Sequence, residues 1–110
     1  MPKVETKTER YRDELLESLK NNEEAAHYLN ACLEDDDPRV FLMALRDVAD
    51  AHGGVRTVSR ETRLNRESLY RMLSKSGNPS LDSLASVLHA LGLHLSIQPA
   101  PAKGRRRRVA

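Results

Sequence analysis

Apolar positions along the chain recur mostly at intervals of three and four, which is the spacing of one face of a helix. Ala25, Tyr28, Leu29, Cys32 and Leu33 form the first clear stripe. Asn21 or Asn22 can cap it, and Glu24 stands three residues after Asn21, as in a capping box. Asp35, Asp36 and Asp37 interrupt the pattern, and Asp37-Pro38 restarts it. Asp37 is a natural N-cap. Pro38 suits the first helical position, where a missing N–H costs nothing. The next stripe is Phe41, Leu42, Leu45, Val48 and Ala49, and Gly53-Gly54 ends it.

Two shorter patterns follow, at 55–62 and 66–75, bridged by Arg63-Leu64-Asn65, with Asn65 able to cap the second. Gly77-Asn78-Pro79 is a turn. Ser80 can cap a further helix with the stripe Leu81, Leu84, Ala85, Leu88 and Leu91, and Gly92 can supply its left-handed end. The period then changes from helical to two. Leu93, Leu95 and Ile97 alternate with His94, Ser96 and Gln98, which predicts one short strand. A lone strand has no internal partner. It either pairs with a second copy, burying Leu93, Leu95 and Ile97 in a dimer seam, or docks on its own bundle.

The ends lack such order. Residues 1–12 show no clear period and read as a mobile arm, while Leu15, Leu16 and Leu19 allow a short turn of helix within 13–20. The predicted organisation is an acidic arm at 1–21, a domain at 22–98 and a disordered basic tail at 99–110. The expected fold is all-α, a small bundle of about five helices with one short C-terminal strand.

Charge changes the picture. The 110 residues sum to a formal +2, which taken alone indicates no strong pull toward nucleic acid or membrane. The distribution is polar, however. Residues 1–37 carry 5 basic and 11 acidic groups, whereas residues 38–80 carry 8 basic and 4 acidic ones. Residues 81–110 add 5 basic and 1 acidic group, four of the basic ones in the run Arg105–Arg108. Two surfaces with different partners are expected. With one Phe, three Tyr and no Trp, the core must be largely aliphatic.

Several functions are disfavoured. One cysteine makes no intramolecular disulfide, and Cys32 in its apolar stripe reads as a buried thiol. His27, His52, His89 and His94 are scattered without zinc-ligand spacing, so no metal or cofactor is expected. Phosphate-loop and dinucleotide glycine patterns are missing. Glu61 and Glu67 could be imagined as a carboxylate pair, but no His, Lys or Ser constellation surrounds them, so an enzyme is not expected. No secretory signal or membrane span is evident, and the cytoplasm is the expected location.

Two short helices joined by a tight turn inside a helical bundle describe a helix-turn-helix. Ser59 is small where the helices must approach. Val58, Leu64, Leu69 and Met72 can face the core, which leaves Arg66, Glu67, Tyr70 and Arg71 outward, with Ser68 at the border.

At this point residues 22–98 resemble the helix-turn-helix antitoxins of the HigA-like addiction-module antidote group, within the Cro/xenobiotic-response-element repressor class. The unit ESLYRMLS-x-x-GNPSLDSL carries most of the resemblance. One departure is Arg63, where the family turn usually carries Gly at a position that often needs positive φ. The resemblance implies a dimer that binds and represses its own promoter. It also implies neutralisation of a co-encoded toxin, typically a RelE-like ribonuclease. A stand-alone phage-like repressor without a toxin is the other reading.

On that reading Arg66 and Arg71 reach guanine edges, and Glu67 accepts from cytosine. Ser68 and Tyr70 touch bases or phosphates, unless Tyr70 packs against the helix at 39–51. Arg56 and Thr57 meet phosphate, and Lys75, Asn78 and Ser80 hold the other backbone strand. The acidic first third is repelled by DNA. Glu23, Glu24, Glu34, Asp35 and Asp36 are its candidate contacts to a basic toxin, or a merely solvated face; Asp37 joins them but has its cap to make. Arg105–Arg108 either adds phosphate contacts or only solubilises.

Overall fold

The computed structural model describes residues 6–101. Six helices follow one another, and no strand occurs among the described residues. They are α1 (Lys7–Ser18), α2 (Asn22–Leu33), α3 (Pro38–Ala51), α4 (Gly54–Thr62), α5 (Arg66–Met72) and α6 (Leu81–Ala90). α3 is the axis of the bundle. It packs against α1, α2 and α4, while α4 also packs against α5 and α6.

The helix starts follow from side-chain caps that satisfy otherwise orphaned backbone donors. Asn21 accepts from Glu24 N at 3.0 Å, Asp37 from Arg39 N at 2.9 Å and Ser80 from Ser83 N at 3.1 Å. Pro38 occupies the first turn of α3, as its fixed φ allows. α3 and α4 are separated by Gly53 and Gly54, both at positive φ (99° and 86°), so the chain reverses there without Cβ strain.

The core is aliphatic. Leu45, Val48 and Ala49 of α3 meet Val55 and Val58 of α4, Leu69 and Leu73 at α5, and Val87 and Leu88 of α6. Each fully buried Leu or Val contributes roughly 1.5–3 kcal/mol of transfer free energy. Phe41 is the one aromatic residue in the fully buried set.

Three expectations differ from the structure. The first concerns 1–21, read as an arm with a short turn of helix within 13–20; the helix is there but begins earlier. From Lys7 it is helical, under a reciprocal capping box in which Thr6 Oγ1 accepts from Glu9 N and Glu9 Oε2 accepts from Thr6 N. No residue within α1 is fully buried, which is why no clean stripe marks it. Leu15 leans on the core, and Leu19 just beyond the helix is 1% exposed.

The second is the strand at 93–98, which does not form. Within one chain those residues have no ladder to join, so alternation alone leaves them extended. Leu93 packs on the core, Leu95 is 45% exposed and Ile97 is 98% exposed. Gly92 turns the chain at φ 80°, close to Asn22 at the start of α2. The following residues run back along α2, bordering a groove with Ala26, Leu29, Leu33 and Glu34.

The third is the face of α6. Leu81 is 73% exposed, Ala85 is exposed, and Val87 takes a fully buried place. The stripe is rotated relative to the expected one, with Leu84 half-buried and Leu88 and Leu91 inside. Arg105–Arg108 and most of the predicted basic tail lie outside the described residues.

Candidate nucleic-acid interface

α4 and α5 are joined by the three-residue turn Arg63-Leu64-Asn65, as the sequence predicts. Arg63 adopts φ 64°, ψ 12°, in the left-handed region. It is the one non-glycine residue with positive φ among the described residues. The turn is tied on both sides. Arg63 N donates to Ser59 O at 2.8 Å, and Ser59 Oγ donates to Leu64 O at 2.6 Å. Thr62 Oγ1 donates to Val58 O and accepts from Leu64 N at 3.1 Å. Asn65 Oδ1 then accepts from Glu67 N and Ser68 N at 2.8 and 3.3 Å, which starts α5. Leu64 packs against the core from the turn, while Leu69 and Met72 are buried beneath α5.

This packing turns the other face of the pair outward. Arg56, Arg60, Arg63, Arg66, Glu67, Ser68, Tyr70 and Arg71 are all exposed. Among the described residues, none of these five arginines is held in an ion pair. Outside the pair, Arg12, Lys20, Arg39 and Arg46 each meet a carboxylate. Arg60 and Arg63 were not among the expected contacts, although their charge and spacing in the same segment were a readable signal.

The remaining predicted residues divide. Ser68, Arg71, Asn78 and Ser80 border one shallow depression between α5 and the start of α6. Ser80 is committed to its cap. Thr57 is half-buried, and its hydroxyl donates to Gly53 O at 3.2 Å. Lys75 instead borders a groove with Tyr28, Val40, Met43 and Asp47, on the side of α2 and α3.

Tyr70 takes the packing alternative against the helix at 39–51 and keeps half its surface exposed. It is 50% exposed, and its ring is covered by the Arg46 guanidinium of α3, 5.1 Å from the centroid. Arg46 Nε donates to Asp50 Oδ1 at 3.2 Å. Arg12 of α1 reaches the same α3 face, donating to Asp47 Oδ1 at 3.0 Å and to Asp50 Oδ2 at 2.8 Å. Tyr28 donates to Asp47 Oδ2 at 2.8 Å. Burial, and then that hydrogen bond to a carboxylate, push the Tyr28 hydroxyl above its ordinary range. Burial likewise raises the Cys32 thiol, a poor setting for a thiolate. The i,i+4 pair Arg46–Asp50 is legible in the sequence; the reach of Arg12 across 35 and 38 residues is not.

The acidic candidates are exposed but do not form one patch. Glu23 and Glu24 open α2, whereas Glu34, Asp35 and Asp36 follow its end. The 12-residue helix holds the two groups roughly 15 Å apart. Asp37 caps α3 and pairs with Arg39 at 2.8 Å. No helix of the described residues is long and apolar enough to cross a membrane.

The whole of this arrangement falls within a match to known proteins. A family model described as "Probable addiction module antidote protein" matches residues 9–99. An "Uncharacterized protein" of Haemophilus influenzae (strain ATCC 51907 / DSM 11121 / KW20 / Rd) is 36% identical over 92 residues, covering 83% of this chain and 94% of the relative. No solved structure matches the chain. The family match runs from within α1 past α6 and includes the α4–α5 pair, and on that extent the chain belongs to the addiction module antidote family.

Proposed function

We propose that the chain is the antitoxin of a type II toxin–antitoxin module that also binds DNA through the α4–α5 pair and represses its own operon. An antidote family implies a toxin partner. The DNA reading is carried by one observation: Arg56, Arg60, Arg63, Arg66 and Arg71 are exposed on the two short helices and their turn, without ion pairs among the described residues. Cations left unneutralised on one face are what phosphate attracts, and each phosphate contact adds about 0.9 to the salt slope.

In this reading α5 is the recognition helix of a helix-turn-helix, in the manner of HigA-like repressors of the Cro/xenobiotic-response-element class. Arg66 and Arg71 donate to guanine, and each bidentate pair discriminates by roughly 1–3 kcal/mol. Glu67 accepts from cytosine; Ser68, Tyr70 and Asn78 contact the backbone or bases beside them. One such motif reads too little DNA, so two copies bind half-sites about 34 Å apart. The exposed Leu95 and Ile97, with Leu93 behind them, supply apolar area for that dimer. The toxin is a basic, RelE-like protein that meets the carboxylates at the two ends of α2. The chain acts by binding, with no catalytic step.

The test is a gel shift on the DNA upstream of the gene, at two salt concentrations. Arg66→Ala with Arg71→Ala is expected to abolish the specific shift while leaving the melting temperature unchanged. Binding that survives in the folded double variant refutes this recognition helix. Co-expression with the adjacent gene tests the toxin reading: a basic product of that gene must co-purify with this chain, and failure to do so leaves a repressor without a toxin.

A further inference from the structure

α1 is attached to the bundle in an unusual way. It has no fully buried residue of its own, and Arg12 bonds Asp47 and Asp50 on α3. Those contacts continue. Asp50 holds Arg12 with Oδ2 and Arg46 with Oδ1, at 2.8 and 3.2 Å. Arg46 in turn covers the ring of Tyr70 on α5 at 5.1 Å. The Tyr70 hydroxyl has no hydrogen-bond partner among the described residues, and Tyr70 is exposed on α5, as are Arg66 and Arg71. Four residues thus connect α1 to the outward face of α5.

We propose that Arg12 is a positioning residue for the DNA-contacting face, acting on Tyr70 through Asp50 and Arg46. The inference rests on the DNA reading above and adds to it a residue far from the α4–α5 pair in sequence. Its physical basis is geometric and electrostatic. With Arg12 in place, two cations face two carboxylates, and the Asp50 carboxylate is gripped from both oxygens. That grip fixes the Arg46 guanidinium plane, and a fixed guanidinium over one ring face restricts where Tyr70 can point. Without Arg12 the cluster holds one excess negative charge behind the DNA face, and Arg46 is drawn to both carboxylates. Tyr70 then loses its cover and the face loses a preset contact.

Two measurements test this, one of them without DNA. In the free protein, Arg12→Gln is expected to move the Tyr70 ring resonances in an NMR spectrum. Asp50→Asn, which leaves Arg12 its bond to Asp47, is expected to move them in the same direction. With operator DNA, Arg12→Gln weakens binding about two- to five-fold, the range of a cation–π contact. In a Tyr70→Ala background it causes no further loss, and the salt slope is unchanged because Arg12 meets no phosphate. Arg12→Lys, which keeps a cation beside Asp50, restores binding.

Unmoved Tyr70 resonances with wild-type binding intact overturn the relay alone. An equal loss with and without Tyr70 overturns it too, since Arg12 would then act on the fold or on DNA directly. If the wild-type chain shifts no upstream DNA, the DNA reading fails, and the proposal falls with it whatever the ring resonances do.

Discussion

Replacing Arg63 by glycine should stabilise the protein. Arg63 sits at φ 64°, where a side chain crowds the following carbonyl and costs about 1–2 kcal/mol. Glycine removes that cost but gives the unfolded chain more freedom, worth about 0.4–1 kcal/mol against it. The turn keeps its ties in either case, because Ser59, Thr62 and Asn65 supply the hydrogen-bonding side chains. The exposed guanidinium has no ion pair among the described residues, so no partner is orphaned. The net gain is about 0.5–1 kcal/mol, or a rise in Tm of roughly 2–6 °C for a domain of this size. Thermal melts followed by circular dichroism read it directly. Arg63→Asn should fall between wild type and glycine, since Asn tolerates the left-handed region, and Arg63→Val should melt lowest. A glycine variant that melts at or below wild type refutes the strain, and so does a valine variant that melts above it.

Three further outcomes follow from other contacts. Tyr28→Phe removes the hydroxyl bonded to Asp47 and should cost about 1 kcal/mol in urea denaturation. Because burial and Asp47 raise the Tyr28 pKa, its contribution is complete below about pH 10 and is lost as pH rises further; the Phe variant should lack that alkaline component. Asp37 is the opposite case: the side chain and then the backbone N–H of Arg39 lower its pKa, so its stabilisation is present above the ordinary carboxylate range and lost as pH falls below it. Melts between pH 3 and 7 should show Asp37→Asn, still a cap, losing less on acidification than wild type. Gly77→Ala should destabilise by about 2 kcal/mol or more, since its Cβ would collide with the Met72 carbonyl oxygen, a backbone atom unable to swing aside. A stable Gly77→Ala protein in the same denaturation assay would show that the turn before α6 can open.

Local chemistry explains why much of the fold could be read beforehand. Asn21, Asp37, Asn65 and Ser80 all cap where polar residues precede apolar stripes, since caps depend only on neighbours two or three residues away. The same locality made the three-residue Arg63 turn legible, whereas its positive φ was suggested only by the resemblance, with a slightly different turn as the alternative. What failed depended on distance or on partners. α1 hides because its docking uses Arg12 and two carboxylates on α3 rather than a continuous stripe. The alternation at 93–98 is real but needs a neighbouring strand that one chain does not provide. Leu81 and Val87 exchange roles because the angle at which α6 meets α4 decides which side is inner, and no local pattern encodes that angle. At the candidate site, Arg56, Arg66 and Arg71 were visible from the motif, while Arg60 and Arg63 were missed. The stacking of Arg46 on Tyr70 joins residues 24 positions apart and was visible only as a packing alternative.

The reversal at Gly92 has a consequence for how the chain is made. Leu29 is 5% exposed, and Leu33 is half-buried, with residues 93–101 lying along α2. During synthesis α2 emerges well before the segment that lines its groove. Until then a nascent chain carries an unshielded greasy flank, the kind of surface on which chaperones and proteases act. A message cut short before codon 93 would yield a product with the α4–α5 pair complete and that flank still bare, marked for removal rather than for work.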